Sequence, residues 1–127
     1  MRDVVTILLV EDESLIALNL QEALEEAGFA VCHVPDGECA FAAIDACEAN
    51  VAGVITDIQL GGDVDGWAVA RHARELIPHV PVIYVSGDSA HQHTVSGVPN
   101  SIMVQKPFAS VQIITAISTL LNAFPPA

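Results

Sequence analysis

Four apolar stretches of this chain each run into a residue able to do chemistry. Residues 4–10 lead into Glu11-Asp12-Glu13, residues 51–56 into Asp57, residues 80–85 into Ser86, and residues 102–105 into Lys106-Pro107. Lys106 is the only lysine in the sequence. If the stretches are parallel strands of one sheet, carboxylates, a hydroxyl and an ammonium meet at its carboxyl edge. That edge is where open α/β sheets bind and transform ligands.

The acids come first. With the first and third strands adjacent, Glu11, Asp12 and Asp57 fall within a few ångströms of each other. Two carboxylates about 4 Å apart repel by roughly 4 kcal/mol at a surface-like dielectric. Three ionised together need a counter-charge, and an all-oxygen ligand set favours a hard cation such as Mg²⁺, with Mn²⁺ as a substitute. A second reading fits the tripeptide alone: acids opening a helix are stabilised by its dipole. Asp57, however, follows a strand too hydrophobic to need an acid for solubility. Lys106 can balance the site, and Gly87 leaves space beside the Ser86 hydroxyl. A carboxylate nucleophile, a metal and an ammonium are the parts that hold a phosphoryl group and neutralise its oxygens.

The elements that must position these groups alternate. Strands are predicted over residues 6–10, 30–34, 51–56, 81–85 and 101–105. Helices are predicted over 14–27, 38–48, 67–77 and 110–121, with a polar, ambiguous stretch over 88–97 that is at best a short fourth helix. In the first helix Ile16, Leu20, Ala23, Leu24 and Ala27 share a face, and Gly28 closes it. Strict alternation implies a parallel sheet with right-handed crossovers. The nearly all-apolar third strand is expected at its centre.

Composition narrows the classes. The chain has 127 residues, 52% hydrophobic and 16% charged, which fits one globular domain over 1–127 with a core over about 6–121. The net charge is −12, with only Arg2, Arg71, Arg74 and Lys106 basic. That argues against a nucleic-acid partner, whose backbone needs clustered cations. No apolar run reaches the roughly 18 residues that span a bilayer. Without a signal peptide, a cytoplasmic location is expected. Cys32, Cys39 and Cys47 contain no CxxC pair, so reduced buried thiols are expected. The histidines, His91 and His93 included, show no ligand spacing.

Taken together, ILLVEDE (7–13), VITDIQL (54–60), DGW (65–67), VIYVSGDS (82–89) and VQKPF (104–108) make the chain resemble the receiver domain of bacterial two-component response regulators. The resemblance implies a flavodoxin-like (βα)5 doubly wound parallel sheet of order 2-1-3-4-5, here with a short or irregular fourth helix. It implies Asp57 as phosphoacceptor, Glu11, Asp12, Asp57 and the Gln59 backbone carbonyl as Mg²⁺ ligands, Ser86 as switch hydroxyl and Lys106 as phosphate partner. The phosphoryl donor it implies is a phosphohistidine of a sensor histidine kinase or histidine phosphotransfer protein. The output partner is unknown. Gln59 and Asp88 stand where the family tunes phosphoryl lifetime.

The chain departs from the family's pattern in two further places. The loop after the phosphoacceptor, 60–66, is one residue longer and lacks proline, which predicts a looser loop. Met103 stands where the family often carries an aromatic switch.

Several surfaces invite partners. Leu15 and Leu18 lie off the core face of the first helix, as a docking patch for a kinase helix bundle or as ordinary exposed leucines. Trp67, Arg71 and Arg74 are expected on a solvent face opposite Val69, Ala73 and Leu76. The uncharged last helix carries a stripe of Val111, Ile114, Ile117 and Leu121 flanked by Ile113 and Leu120, with apolar surface to spare for a homodimer or partner.

The leading expectation is a stand-alone receiver starting at Met1. The alternative is a receiver excised from a hybrid kinase or longer regulator. No organic cofactor is expected: a flavodoxin-like carrier needs a Ser/Thr/Gly-rich phosphate loop where Glu11-Asp12-Glu13 stands. An aspartyl phosphatase needs an acid at Gln59.

Overall fold

The computed structural model describes residues 5–47, 50–87 and 96–123. In chain order the elements are β1 (Thr6–Val10), α1 (Ser14–Glu26), β2 (Ala30–Val34), α2 (Gly37–Cys47), β3 (Val51–Asp57), α3 (Gly66–Leu76), β4 (Val82–Ser86), β5 (Ser101–Gln105) and the last helix, α4 (Ser110–Ala123). All strand pairings are parallel, in the order β2-β1-β3-β4-β5. This is the flavodoxin-like doubly wound arrangement. Of the ambiguous stretch over 88–97, residues 88–95 lie outside the described residues, as does Asp88.

Alternation along each strand sorts the core into two layers. Leu8, Val10, Val54, Val82 and Tyr84 face α2 and α3, where Ala40, Ile44, Val69, Ala70 and Ala73 meet them. Ile7, Leu9, Ile55, Ile83 and Val85 face α1 and α4, against Leu20, Leu24, Ile113 and Ile117. β3 lies between β1 and β4 and is buried on both sides, which is why its sequence is apolar almost throughout.

The strand ends reach further than the hydrophobic runs. Asp57 is the last residue of β3, in register with Val85, and Ser86 is the last residue of β4, in register with Gln105. Ladder hydrogen bonds carry the pairing past the apolar residues: the Ile58 amide donates to the Val85 carbonyl at 3.1 Å and the Lys106 amide to the Ser86 carbonyl at 2.8 Å. Both functional side chains are therefore placed by sheet geometry rather than by a loop. α1 ends as predicted, with Gly28 at φ 99° and the Phe29 amide donating to the Leu24 carbonyl at 3.0 Å.

Four expectations need correction. In α1 the buried line is Ala17, Leu20 and Leu24; Ile16 is only half-buried and Ala27 is exposed beyond the helix end. In α3 Trp67 points inward rather than to solvent, 6% exposed. Ala70 and Ala73 are too small to fill the space beneath that helix, and the Trp67 ring does so, 4.7 Å from the ring of Tyr84. Arg74 gives its donors to the Val80 and Pro99 carbonyls, and Leu76 is exposed. In α4 the buried line is Ile113, Ala116, Ile117 and Leu120, while Val111 is 66% exposed. The helix is uncharged and carries large apolar residues on more than one face, so its sequence left the inner face undetermined. Finally, Cys32 and Cys39 are exposed free thiols, Cys32 because β2 is an edge strand.

The longer loop after β3 is anchored at its α3 end. The Gly66 amide donates to the Ile58 carbonyl at 2.8 Å, and Asp65 caps α3 by accepting from the Ala68 amide at 2.9 Å. Val64 fills the space over Gly37, where any Cβ would collide with it. Among the described residues no helix is long and apolar enough to cross a membrane.

Candidate functional site

The carboxyl edge of the sheet brings the predicted groups together. Glu11 continues β1 by one residue, its amide donating to the Val34 carbonyl at 3.1 Å, and its side chain is buried. One Glu11 oxygen accepts from the Glu13 amide at 3.1 Å. Asp57, also buried, accepts from the Gln59 amide at 3.2 Å through Oδ1. Lys106 Nζ lies 3.0 Å from Asp57 Oδ2 and 3.6 Å from Glu11 Oε1. Ser86 is buried at the end of the next strand.

Oxygens of Glu11, Asp12 and Asp57 all lie within 4.8 Å of one another. Three carboxylates facing one ammonium leave an excess of negative charge in a partly dry site. An all-oxygen set of this kind fits a hard divalent cation, so the residues present suit the expected metal. The electrostatics carry the same message. Burial pushes the Glu11 carboxyl up to about 7; Asp57 adds to the rise, against the Glu13 amide and Lys106. For Lys106, burial favours the neutral amine, but the hydrogen bond and charge of Asp57, with Glu11 and Glu13, outweigh it and hold the ammonium above its ordinary value. The edge is thus short of positive charge even with its lysine in place.

Leu15 and Leu18, 70% and 53% exposed, follow the acids on α1. Nearby, a cleft of about 410 Å³ separates α1 from the segment after β5, lined by Glu13, Ile16, Asn19, Lys106 and Phe108 among others.

Two contributions escaped the sequence reading. A Cβ at Gly66 would run into the Asp57 carbonyl, so glycine there lets α3 start directly behind the acid. The only available signal was the Asp65-Gly66 pair, which reads equally as a turn. His33, read as having no ligand role, places Nε2 at 2.9 Å from the Glu11 carbonyl oxygen. Nothing in its spacing along the chain announces that contact, because it is made across two strands.

Comparison with known proteins agrees with this geometry. The family model for the response regulator receiver domain matches residues 7–118. The response regulator receiver protein CpdR of Brucella abortus is 31% identical over 119 residues, covering 92% of this chain and 97% of its own length. The probable transcriptional regulatory protein SilR of Salmonella typhimurium is 32% identical over 118 residues, covering 91% of this chain but 50% of its own length. The chain therefore spans about half the length of the transcriptional regulators it matches. A crystal structure of a response regulator receiver protein from Sinorhizobium medicae superposes with a TM-score of 0.92 at 45% identity, covering 95% of this chain and 97% of that one. With the family match, the strand order and the acidic edge in agreement, the chain belongs to the response regulator receiver domain family.

Proposed function

We propose that this receiver takes a phosphoryl group onto Asp57 from a phosphohistidine of a sensor histidine kinase or histidine phosphotransfer protein, and signals by protein–protein contact. The observation that carries the reading is Asp57 itself: a buried carboxylate at a strand end, 3.0 Å from the only lysine and clustered with Glu11 and Asp12. In the transfer an Asp57 oxygen attacks phosphorus, the P–N bond breaks, and the imidazole leaves with the electron pair. Hydrolysis later restores the carboxylate and releases inorganic phosphate. Lys106 orients Asp57 beforehand and pairs with a phosphoryl oxygen afterwards. Ser86, one strand over, supplies the hydroxyl that follows the new charge.

Glu11, Asp12, Asp57 and the Gln59 backbone carbonyl would hold Mg²⁺, or Mn²⁺ in its place. When bound, the ion supplies the positive charge that offsets the phosphoryl oxygens. Gln59, two residues after Asp57, and Asp88, two residues after Ser86, are assigned to setting the lifetime of the acyl phosphate. Leu15 and Leu18 are assigned to docking the donor, and the exposed Val111 side of α4 to a partner or a second copy. The match over nearly the full length of CpdR supports a receiver that works as one unit, as a phosphoryl shuttle, sink or allosteric partner.

The test is direct. Incubated with Mg²⁺ and a small acyl phosphate, the protein gains a single phosphoryl group by intact mass, and Asp57→Asn gains none. Absence of the adduct, or an adduct that survives Asp57→Asn, refutes the assignment.

A further inference from the structure

We propose that His33 is a positioning residue for the acidic edge: its ring holds the Glu11 main chain so that Glu11 and Asp12 present their carboxylates together. The inference rests on the metal-binding role given above to those two acids. β1 and β2 pair in parallel, with Leu9 opposite His33 and Val10 opposite Val34. At one end of the pair the Ala30 amide donates to the Val5 carbonyl at 2.9 Å, and at the other the Glu11 amide donates to the Val34 carbonyl at 3.1 Å. A parallel ladder advances by two residues on each strand, so the next rung would bring the Asp36 amide to the Glu11 carbonyl. The chain turns at Pro35 instead, and Asp36 caps α2, its side chain accepting from the Cys39 amide at 2.8 Å. The ladder's next donor position thus falls in a turn, just where the main chain must lead into the metal-site acids.

The His33 ring takes that place. Its Nε2 lies 2.9 Å from the Glu11 carbonyl oxygen, and an acceptor there requires the proton on Nε2. With the amide on Val34 and the carbonyl on His33, the Glu11 residue is pinned to β2 on both sides. Its carboxylate in turn accepts from the Glu13 amide, which sets the turn containing Asp12. An exposed side chain on an edge strand thereby fixes a buried carboxylate it does not touch.

The experiment compares wild type with His33→Ala and His33→Gln, since a glutamine amide nitrogen occupies nearly the position of Nε2. In the metal-free protein, amide exchange at Glu13 rises several-fold in the alanine variant and returns to within about twofold of wild type in the glutamine variant. By calorimetry with Mg²⁺ alone, the Kd rises roughly 3–10-fold in His33→Ala and recovers in His33→Gln. With acyl phosphate the Mg²⁺ needed for half-maximal phosphorylation shifts likewise, while the rate at saturating Mg²⁺ stays unchanged. Wild-type exchange and affinity in His33→Ala, or a glutamine variant no better than alanine, overturns the inference. If wild type gives no Mg²⁺ binding, the metal role falls, and the metal-free exchange measurement still decides whether His33 holds the turn.

Discussion

Glu11 and Asp57 bury charge at the ends of β1 and β3, with Lys106 reaching both from the end of β5, whereas Tyr84, Trp67 and Met103 fill the β4–β5 side of the same sheet with aromatic and thioether surface. The two regions stand one strand apart and are held by different physics. On the first, each group keeps its place through a charged partner, and the sum of charges stays negative. On the second, Tyr84 is fully buried between Trp67 and the segment ahead of β5, its hydroxyl accepting from the Val98 amide at 3.0 Å. Arg74 clamps the same segment through the Pro99 carbonyl at 2.6 Å. Burial raises both the Glu11 carboxyl and the Tyr84 phenol, with opposite consequences. Glu11 is brought to the edge of titration near neutral pH, while Tyr84, already neutral there, becomes a firmer structural post.

Substitutions separate the two regions. The largest effect belongs to the aromatic side: Tyr84→Ala opens a cavity beneath Trp67 and costs about 3–5 kcal/mol in urea denaturation. Tyr84→Phe keeps the ring but takes the acceptor from the Val98 amide, and costs about 1–2 kcal/mol. A phenylalanine variant as damaged as the alanine one shows that the hydroxyl, not the ring, holds this region. On the charged side, Lys106→Met strands two buried carboxylates. Measured without metal, it costs about 2–3 kcal/mol at pH 8 and less at pH 5.5, where Glu11 carries its proton. A cost independent of pH shows that the Lys106 stem, rather than its charge, is what counts.

The same contrast explains what could be read from the sequence. Strand–helix alternation followed from hydrophobic runs and turns, the strand order only from the family resemblance, and the acidic edge from charged residues standing at the ends of apolar strands. A lone lysine at a strand end is conspicuous in a chain with four basic residues. Trp67, Tyr84 and the outer face of α4 carry no such signal. An apolar residue in an apolar helix has several faces on which to be buried, and only the volumes of its neighbours decide. Small Ala70 and Ala73 turned Trp67 inward, and Ile113 rather than Val111 won the sheet. His33 was missed for a related reason: its contact depends on where the β1–β2 ladder runs out.

A smaller effect isolates the charged side by pH. Glu11 in the folded protein titrates at about 7, above its ordinary value of 4.5. The folded state therefore binds this proton more tightly than the unfolded chain, and the stability linked to it is full below pH 4.5 and lost as pH rises through about 7. In metal-free protein the loss is on the order of 2 kcal/mol, and Glu11→Gln removes it. Mg²⁺ at 100 times its Kd restores about 2.7 kcal/mol at the alkaline end. Thermal melts from pH 5 to pH 8, with and without chelator, check the sign. A wild-type protein that gains stability over that range contradicts the buried, proton-holding Glu11.

The smallest expected effect tests whether the charged edge has an apolar neighbour of functional consequence. Leu15 and Leu18 sit on the turn of α1 that follows Glu11-Asp12-Glu13, both more than half exposed, and the cleft against Phe108 opens beside the same helix. A protein donor must bring its phosphohistidine to Asp57 while resting on something, and these leucines are the large apolar side chains α1 leaves uncovered. Leu18→Asp places a charge in that contact without touching the site, and slows transfer from a phosphorylated kinase or phosphotransfer protein about tenfold, or roughly 1.4 kcal/mol. Transfer from a small acyl phosphate, which needs no such support, keeps its rate. Because Leu18 makes no core contact, stability stays within about 0.5 kcal/mol of wild type. Equal slowing with both donors moves the effect from docking to the chemistry of Asp57, and would make Leu18 part of the charged region rather than its neighbour.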